Sequence, residues 1–260
     1  MPNGKNALIT GSTSGIGKGV ANSLAEAGCN VVLNGSRPME QAEETRQELQ
    51  DDFGIKALYQ QADLRDYQAV VEMIEKAVNK LGSIDILVNN AGIQHVSPIE
   101  EFPLDKWEGI IDLNLKAGFY TIKNTVPVMK RQNWGRIVNI ASAHALVASP
   151  HKSAYVSAKH GLAGLTKTVA LETAESGITC NAICPGYVRT PLVEGQIEDT
   201  AKSRGISKDE VVRDVMLHAQ QTKQFTSIED IGKMAVFLCS DAAKNITGSM
   251  LPIDGGWTAH

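Results

Sequence analysis

The sequence is poor in the features that mark secreted, membrane and metal-binding proteins. It has only four cysteines in 260 residues, and no second cysteine or histidine pair stands close to Cys180 and Cys184. No apolar run approaches the ~20 residues that span a bilayer. The segment before the first apolar run is too short and polar for a signal peptide. These absences predict a cytoplasmic protein with buried free thiols, no metal and no membrane contact.

Positive charge is also scarce. Lys and Arg number 25 against 29 Asp and Glu, which gives a net charge of −4, and no basic arm or block interrupts this balance. The charge therefore argues against nucleic acid as the main partner. Internal repeats, low-complexity tracts and linkers are absent as well, so residues 1–260 are predicted to form a single domain. An apolar content of 43% is enough for a sizeable core.

Short apolar runs alternate with helical patterns along the whole chain. The runs predict strands at 5–10, 30–34, 55–60, 84–88, 135–141, 178–183 and 249–253. Such alternation indicates a doubly wound α/β fold, in which a parallel sheet carries helices on both faces. Ligands of these folds bind at the carboxyl ends of the strands. The polar, weakly helical segment 191–225 is predicted to be a small substrate lid.

A glycine-rich loop follows the first strand directly, from Gly11 to Gly17. Glycines permit a tight turn and close approach to a phosphate, and the start of the next helix favours an anion. The spacing Gly-x-x-x-Gly-x-Gly differs from the Gly-x-Gly-x-x-Gly fingerprint, so a plain strand–helix turn stays open. No acid follows the second strand to hold a ribose. Arg37 stands nearby and is suited to a 2′-phosphate or simply to solvent.

The candidate chemistry lies in and after the fifth strand. Tyr155 and Lys159 are four residues apart and are predicted to share one helix face. An ammonium beside a phenol favours the phenolate, and lowering its pKa from ~10 to about 7 takes roughly 4 kcal/mol. One charge at ~4 Å supplies that much only in a water-poor cleft. Ser142, at the strand end, could then polarise a substrate oxygen. The alternative is an ordinary exposed pair.

Two polar residues before this stretch have open roles. Asn114 lies within the predicted helix 107–130, where asparagine is mildly unfavourable. Either a local kink there frees a carbonyl to hold water, or the asparagine is satisfied in a helix interface. Asp63 ends the third strand and is suited to accept a hydrogen bond from an adenine amine or to cap the next helix.

Together, the motifs 10–17, 89–92, Asn114, Ser142, Tyr155-x-x-x-Lys159 and 185–186 resemble the short-chain dehydrogenase/reductase family over essentially the whole chain. The resemblance implies a Rossmann-type fold, a nicotinamide dinucleotide cofactor and a homotetramer. It implies a catalytic tetrad of Asn114, Ser142, Tyr155 and Lys159. It also implies that Tyr155 and Lys159 contact the cofactor. The other implied cofactor contacts are Gly11, Thr13, Gly15, Ile16, Gly17, Asp63, Leu64, Asn90, Ala91, Gly92, Pro185, Gly186, Val188 and Thr190.

A narrower likeness links segments 92–95, 141–144, 151–155, 189–196 and 254–259 to family members that reversibly oxidise (R)-3-hydroxybutyrate to acetoacetate with NAD. Lysine supplies charge, and amides and histidine supply N–H donors, so the chemistry suits a carboxylate. The likeness assigns the carboxylate to Gln94, His144, Lys152 and Gln196. It assigns the rest of the substrate pocket to Ser142, Tyr155, Tyr187 and Trp257.

One departure and two other functions stay open. The resembled members have Trp where Tyr187 stands, which leaves the preferred chain length of the acid undecided. A reductase of 3-oxoacyl thioesters would have a basic surface and an open pocket, whereas Lys152 with its neighbours suits a small free hydroxy or keto acid. A non-catalytic nucleotide sensor would not need the complete tetrad.

Overall fold

The computed structural model describes residues 1–259, apart from the side chains at positions 191, 192, 196, 199, 200 and 203. One parallel sheet of seven strands has the order β3-β2-β1-β4-β5-β6-β7. Every predicted strand is present, with its ends within two residues of the prediction. The strands are β1 (Asn6–Ile9), β2 (Asn30–Gly35), β3 (Ala57–Gln61), β4 (Ile86–Asn89), β5 (Gly135–Ile140), β6 (Ile178–Pro185) and β7 (Met250–Ile253).

Helices connect the strands and cover both faces of the sheet. The helix predicted at 107–130 is confirmed as one helical stretch over 104–131, which contains the π-helical turn Asp112–Lys116 and is therefore described as two α-helices. The predicted lid contains two helices and a second π-helical stretch, Val211–Met216. The helices are α1 (Gly15–Glu26), α2 (Glu43–Phe53), α3 (Tyr67–Leu81), α4 (Leu104–Ile111), α5 (Ala117–Arg131), α6 (Ser153–Thr173), α7 (Pro191–Arg204), α8 (Lys208–Glu210) and α9 (Ile228–Leu238).

The two faces of the sheet are buried against different helices because successive strand side chains point to opposite sides. In β1, Ile9 packs with Leu24 of α1 and Leu238 of α9. Its neighbour Leu8 packs on the other face, with Ile74 of α3. Since both faces are covered, the central strands β1, β4, β5 and β6 are buried along their whole length, whereas the edge strands β3 and β7 are partly exposed. This arrangement confirms the predicted doubly wound fold.

The strand order reverses between β1 and β4, where chain connections leave in opposite directions across the sheet. Folds of this kind form a crevice outside the carboxyl ends of the strands at such a point. Most of the predicted site residues lie in the segments that follow β1, β4, β5 and β6, while Asp63 and Leu64 follow β3 and Trp257 follows β7.

Two further features are the state of the cysteines and the character of the helices. All four cysteines are buried and free, and burial raises the pKa of Cys184 to about 11. Within residues 1–259, no helix combines the length and the apolar character needed to cross a bilayer.

Candidate active site

The glycine loop after β1 leaves an open cradle at the start of α1. Gly11 has a φ of +59°, and a Cβ there would lie 2.9 Å from the Cα of Ala91. The Asn90 amide donates to the carbonyl of Gly11 at 2.9 Å and so fixes the loop. Ser14 precedes α1 without capping it through its side chain, and the first turn has no acid. Unpaired N–H groups at that helix end fit the phosphates of a dinucleotide.

Other residues predicted to contact the cofactor lie around this loop. A Cβ on Gly17 would lie 2.4 Å from the Gly11 carbonyl oxygen, so this position holds only glycine without displacement. Gly15 has a φ of +56° and open space around it. Ile16 is partly buried against the core. Thr13 lies beside the end of β2, with its hydroxyl 3.4 Å from a Cβ built on Gly35.

Asn34, one residue before the end of β2, uses its side chain for hydrogen bonds within the protein. The Asn34 side chain accepts a hydrogen bond from the Gly11 N–H at 3.2 Å and donates to the Gln60 carbonyl at 3.1 Å. It therefore joins the glycine loop to β3. Arg37 is exposed a few residues further on, and its carbonyl accepts a hydrogen bond from the Tyr59 hydroxyl at 2.5 Å.

Asp63 does not cap α3. Asp66 does so instead, because its carboxylate accepts from the N–H of Gln68 at 2.9 Å. Asp63 pairs with the Arg65 guanidinium at 2.7 Å, which lowers the pKa of that carboxyl. Leu64 beside it is buried in the core. The capping alternative for Asp63 is thus wrong, and its contact with adenine stays a prediction.

Asn114 joins the interrupted helix to the loop after β4. Its side chain accepts from the Ile93 N–H and donates to the Ile93 carbonyl, both at 2.9 Å. A Cβ on Gly92 would lie 3.3 Å from the Asn114 amide oxygen, so a larger residue there would displace that side chain by a few tenths of an ångström. Asn114 is thus satisfied by backbone groups, and it also lies in a π-helical stretch, where the regular α-helical hydrogen bonding is interrupted.

Ser142, Tyr155 and Lys159 lie together at the carboxyl end of β5. Lys159 is buried, its ammonium donates to the Ile140 carbonyl at 2.8 Å, and its Nζ is 5.6 Å from the centre of the Tyr155 ring. Burial lowers the pKa of Lys159 to about 8. The Ser142 hydroxyl interacts with the phenol of Tyr155. The exposed-pair alternative for Tyr155 and Lys159 is therefore wrong.

The charge state of Tyr155 differs from the expectation. Burial raises the pKa of Tyr155 above its ordinary value, and the Ser142 hydroxyl offsets only part of this effect. The Lys159 ammonium, which also donates to the Ile140 carbonyl, does not offset this effect of burial in the protein chain alone. A phenolate therefore needs positive charge from a further source, or a pH above the ordinary tyrosine range.

Aromatic rings line the space beside this group. The buried ring of His144 meets Tyr155 edge to face, with centroids 5.8 Å apart, and meets Trp257 in the same way at 5.0 Å. Tyr187 stacks parallel to Trp257 at 5.7 Å. The Lys152 ammonium lies 5.6 Å from the centre of the Tyr187 ring. Five residues predicted to bind substrate are thus brought together. They come from the start of α6 and from the segments that follow β5, β6 and β7.

The His144 ring is neutral, and both of its nitrogens have a hydroxyl partner. Burial, with a smaller contribution from the nearby Lys152 ammonium, lowers its pKa to about 4. Its Nδ1 is 3.3 Å from the Ser142 hydroxyl, and its Nε2 is 2.9 Å from the Ser149 hydroxyl. The sequence offered no motif that singles out Ser149.

The remaining predicted residues are less closely gathered. Gln94 is exposed in the loop after β4, and the Gln196 side chain lies outside the described residues. The segment after β6 is held by Gln220, a buried residue that the sequence analysis missed, which accepts from the Tyr187 N–H. Of the predicted cofactor residues, Pro185 ends β6, Gly186 and Val188 lie in this segment, and Thr190 caps α7.

A family model described as short chain dehydrogenase matches residues 5–201. The chain belongs to the short chain dehydrogenase family. It is therefore an oxidoreductase, and the dehydrogenases of this family use nicotinamide cofactors. The family resemblance and the Rossmann-type fold inferred from the sequence are both confirmed.

Individual relatives cover the whole length of this short chain dehydrogenase. It is 51% identical to a D-beta-hydroxybutyrate dehydrogenase of Rhizobium meliloti (strain 1021) over 98% of this chain and 99% of the relative. It is 48% identical to a protein of the same name from Cupriavidus necator, over 100% of both chains. A crystal structure described as a short-chain alcohol dehydrogenase from Sinorhizobium meliloti 1021 superposes with a TM-score of 0.88 at 38% identity, covering 99% of this chain and 97% of the other.

Proposed function

We propose that this protein reversibly oxidises (R)-3-hydroxybutyrate to acetoacetate with NAD. The observation that carries the proposal is a continuous cluster of contacts. His144 contacts both Tyr155 and Trp257, Tyr187 stacks on Trp257, and the Lys152 ammonium lies over the Tyr187 ring. A small acid fits this arrangement, with its carboxylate at the ammonium, its methyl group against the rings and its hydroxyl at the phenol. Two relatives named D-beta-hydroxybutyrate dehydrogenase are 51% and 48% identical to this chain, which supports the same substrate.

Tyr155 is the proposed general base that takes the hydroxyl proton, and Ser142 donates a hydrogen bond to the same oxygen. A nicotinamide dinucleotide held by the glycine loop at α1 would supply the hydride acceptor. Lys159 adds positive charge near the phenol. A cavity of about 10 Å³ lined by Asn114 and Lys159 has room for roughly one water molecule, which supports a route for the proton from the site to solvent.

The substrate carboxylate is assigned to Lys152, together with the amides of Gln94 and Gln196. His144 can join them only by releasing one hydroxyl partner, because Ser142 and Ser149 occupy both of its ring nitrogens. We further propose that segment 191–225 forms a lid over this pocket within a single domain.

The choice of NAD rests on the narrower likeness. The phosphate cradle at α1 suits either dinucleotide, and Asn34 is tied to Gly11 and Gln60 by its side chain. No acid follows β2 to bind the ribose hydroxyls, so the preference is decided by assay with both cofactors.

We also propose a cytoplasmic homotetramer, as implied by the family resemblance. Large apolar side chains are exposed on three successive helices: Leu104 of α4 is 80% exposed, Phe119 of α5 47% and Leu171 of α6 82%. Apolar side chains exposed to this extent are available for contacts between subunits. Light scattering that gives the mass of a monomer would contradict the assembly.

The pH dependence of oxidation should report Tyr155. A general base acts when deprotonated, so kcat/KM for hydroxybutyrate at saturating NAD should rise with pH and level off above the Tyr155 pKa in that complex. That pKa should lie below the one found by spectroscopic titration of the protein alone, where burial raises it. Equal values in the two states would show that the cationic nicotinamide does not assist the phenol.

Comparison of a free acid with its thioester tests the substrate class. We expect acetoacetate to be reduced with a higher kcat/KM than acetoacetyl-coenzyme A, because Lys152 pairs with a carboxylate and the thioester has none at that position. The reverse preference would instead support a 3-oxoacyl thioester reductase. The same preparation and cofactor serve both substrates, which makes each the control for the other.

A further inference from the structure

Hydrogen bonds connect Ser149 to Ser142 through the His144 ring. The Ser149 hydroxyl is 2.9 Å from Nε2 of His144, and Nδ1 of the same ring is 3.3 Å from the Ser142 hydroxyl. Ser142 in turn interacts with the Tyr155 phenol. His144 is only 4% exposed, so water has little access to compete for these contacts. The direction of each hydrogen bond therefore depends on where the ring carries its proton.

A neutral imidazole has one N–H and one acceptor nitrogen. His144 is neutral at ordinary pH because burial, and next the Lys152 charge, lower its pKa to about 4. In one arrangement Nδ1 donates to Ser142 and Nε2 accepts from Ser149. In the other, Nε2 donates to Ser149 and the Ser142 hydroxyl gives its proton to Nδ1.

Only the first arrangement leaves the Ser142 hydroxyl able to donate a hydrogen bond to the substrate oxygen. A hydroxyl has one proton to donate and two lone pairs to accept with. The Ser142 oxygen already accepts from the backbone N–H of His144 at 3.2 Å. If Nδ1 donates to the second lone pair, the hydroxyl proton is free to point at the substrate oxygen. If Nδ1 accepts instead, that proton is occupied.

We propose that Ser149 is a positioning residue whose hydroxyl donates to Nε2 of His144, holds the ring in its Nδ1–H tautomer and thereby reserves the Ser142 proton for the substrate oxygen. The kinetic part of this inference rests on the proposed function of Ser142. In this tautomer His144 has no free N–H, so its assignment to the substrate carboxylate is replaced by a role on Ser142. The carboxylate is then held by Lys152 and the amides.

The ring tautomer is observable without any substrate. Nitrogen-15 spectra of the histidine rings in the full-length protein near neutral pH should show His144 protonated at Nδ1 and unprotonated at Nε2. His144→Phe assigns the signal among the six histidines and keeps a ring between Tyr155 and Trp257. Ser149→Ala should shift the signal toward the Nε2–H form. An Nε2–H ring in the unsubstituted protein would overturn the proposal.

Kinetics test whether the tautomer matters. Ser149→Ala removes one hydrogen bond, so kcat for hydroxybutyrate should fall about fivefold while KM changes by less than about twofold. Ser149→Thr, which retains the hydroxyl, should restore kcat. Ser157→Ala, at an exposed serine of α6, is the matched control and should behave as the unsubstituted protein.

A double substitution separates this role from a merely structural one. In the His144→Phe background, Ser149→Ala should have no further effect on kcat, because Ser149 acts through His144. An effect that persists in that background, or one confined to KM, would overturn the proposal. If the unsubstituted protein fails to oxidise hydroxybutyrate, the proposed function falls, and the tautomer spectrum still decides the position of the proton.

Discussion

Tyr155→Phe should lower kcat for hydroxybutyrate oxidation by about 10²- to 10⁴-fold, the range that a positioned general base contributes. The substitution removes one oxygen and keeps the ring, so the edge-to-face contact with His144 should survive. Affinity for the dinucleotide should change little, since the phosphate cradle at α1 is built from other residues. Steady-state rates and the quenching of protein fluorescence by NADH measure the two quantities.

Tyr120→Phe is the matched control. Tyr120 lies in α5 and packs against Tyr67, so it loses the same atom outside the proposed site. Its kcat should equal that of the unsubstituted protein. If Tyr155→Phe retained more than a few per cent of the activity, the proton would have another acceptor and the proposed mechanism would be wrong.

Lys152→Met should raise KM for hydroxybutyrate roughly 10- to 100-fold, the effect expected when a hydrogen bond to a charged group is lost. Methionine retains a long flexible stem, so packing near the Tyr187 ring should change less than charge. The effect on kcat should be smaller, because the ammonium holds the end of the acid that does not react. Initial rates over a range of substrate concentrations measure both constants.

The methyl ester of 3-hydroxybutyrate provides an internal control for this substitution. The ester has no negative charge, so Lys152→Met should leave its KM nearly unchanged. Lys167→Met removes an exposed charge from α6, the helix that begins directly after Lys152, and should affect neither substrate. Equal losses for acid and ester would show that Lys152 supports the fold of the pocket without pairing with the carboxylate.

The sheet could be predicted from the sequence, as could the meeting of the strands' carboxyl ends at one edge, because both depend on local patterns. Buried strands such as β1 and β6 are apolar runs bounded by glycine, and the carboxyl ends of parallel strands must meet at one edge. Tyr155 and Lys159 follow from helical spacing alone. A pattern of this kind needs no knowledge of distant contacts.

Features that depend on distant contacts escaped prediction. Ser149 and Gln220 acquire their roles through side chains that meet His144 and the Tyr187 backbone only after folding. The pKa of Tyr155 was expected to fall, yet burial raises it while Lys159 bonds to a carbonyl. Both the extent of burial and the partner of that ammonium are set by tertiary structure.

Details of the helices, such as the residue that caps a helix, likewise depend on contacts beyond the local sequence. The capping of α3 by Asp66 and not Asp63 depends on the turn that leaves β3, and two acids three residues apart look equivalent in the sequence. The π-helical stretch at Asn114 likewise depends on the approach of the Ile93 backbone. Local propensity registers only that asparagine is unfavourable in a helix.

The most direct test of the proposed function is the formation of reduced cofactor from each enantiomer of 3-hydroxybutyrate, with NAD and with NADP. Reduced nicotinamide absorbs light where the oxidised form does not, so one spectrophotometric assay covers all four combinations. We expect rapid reduction only with the (R) enantiomer and NAD. Turnover of the (S) enantiomer at an equal rate, or no turnover of either, would contradict a pocket in which Lys152 and Tyr155 fix the two ends of a small hydroxy acid.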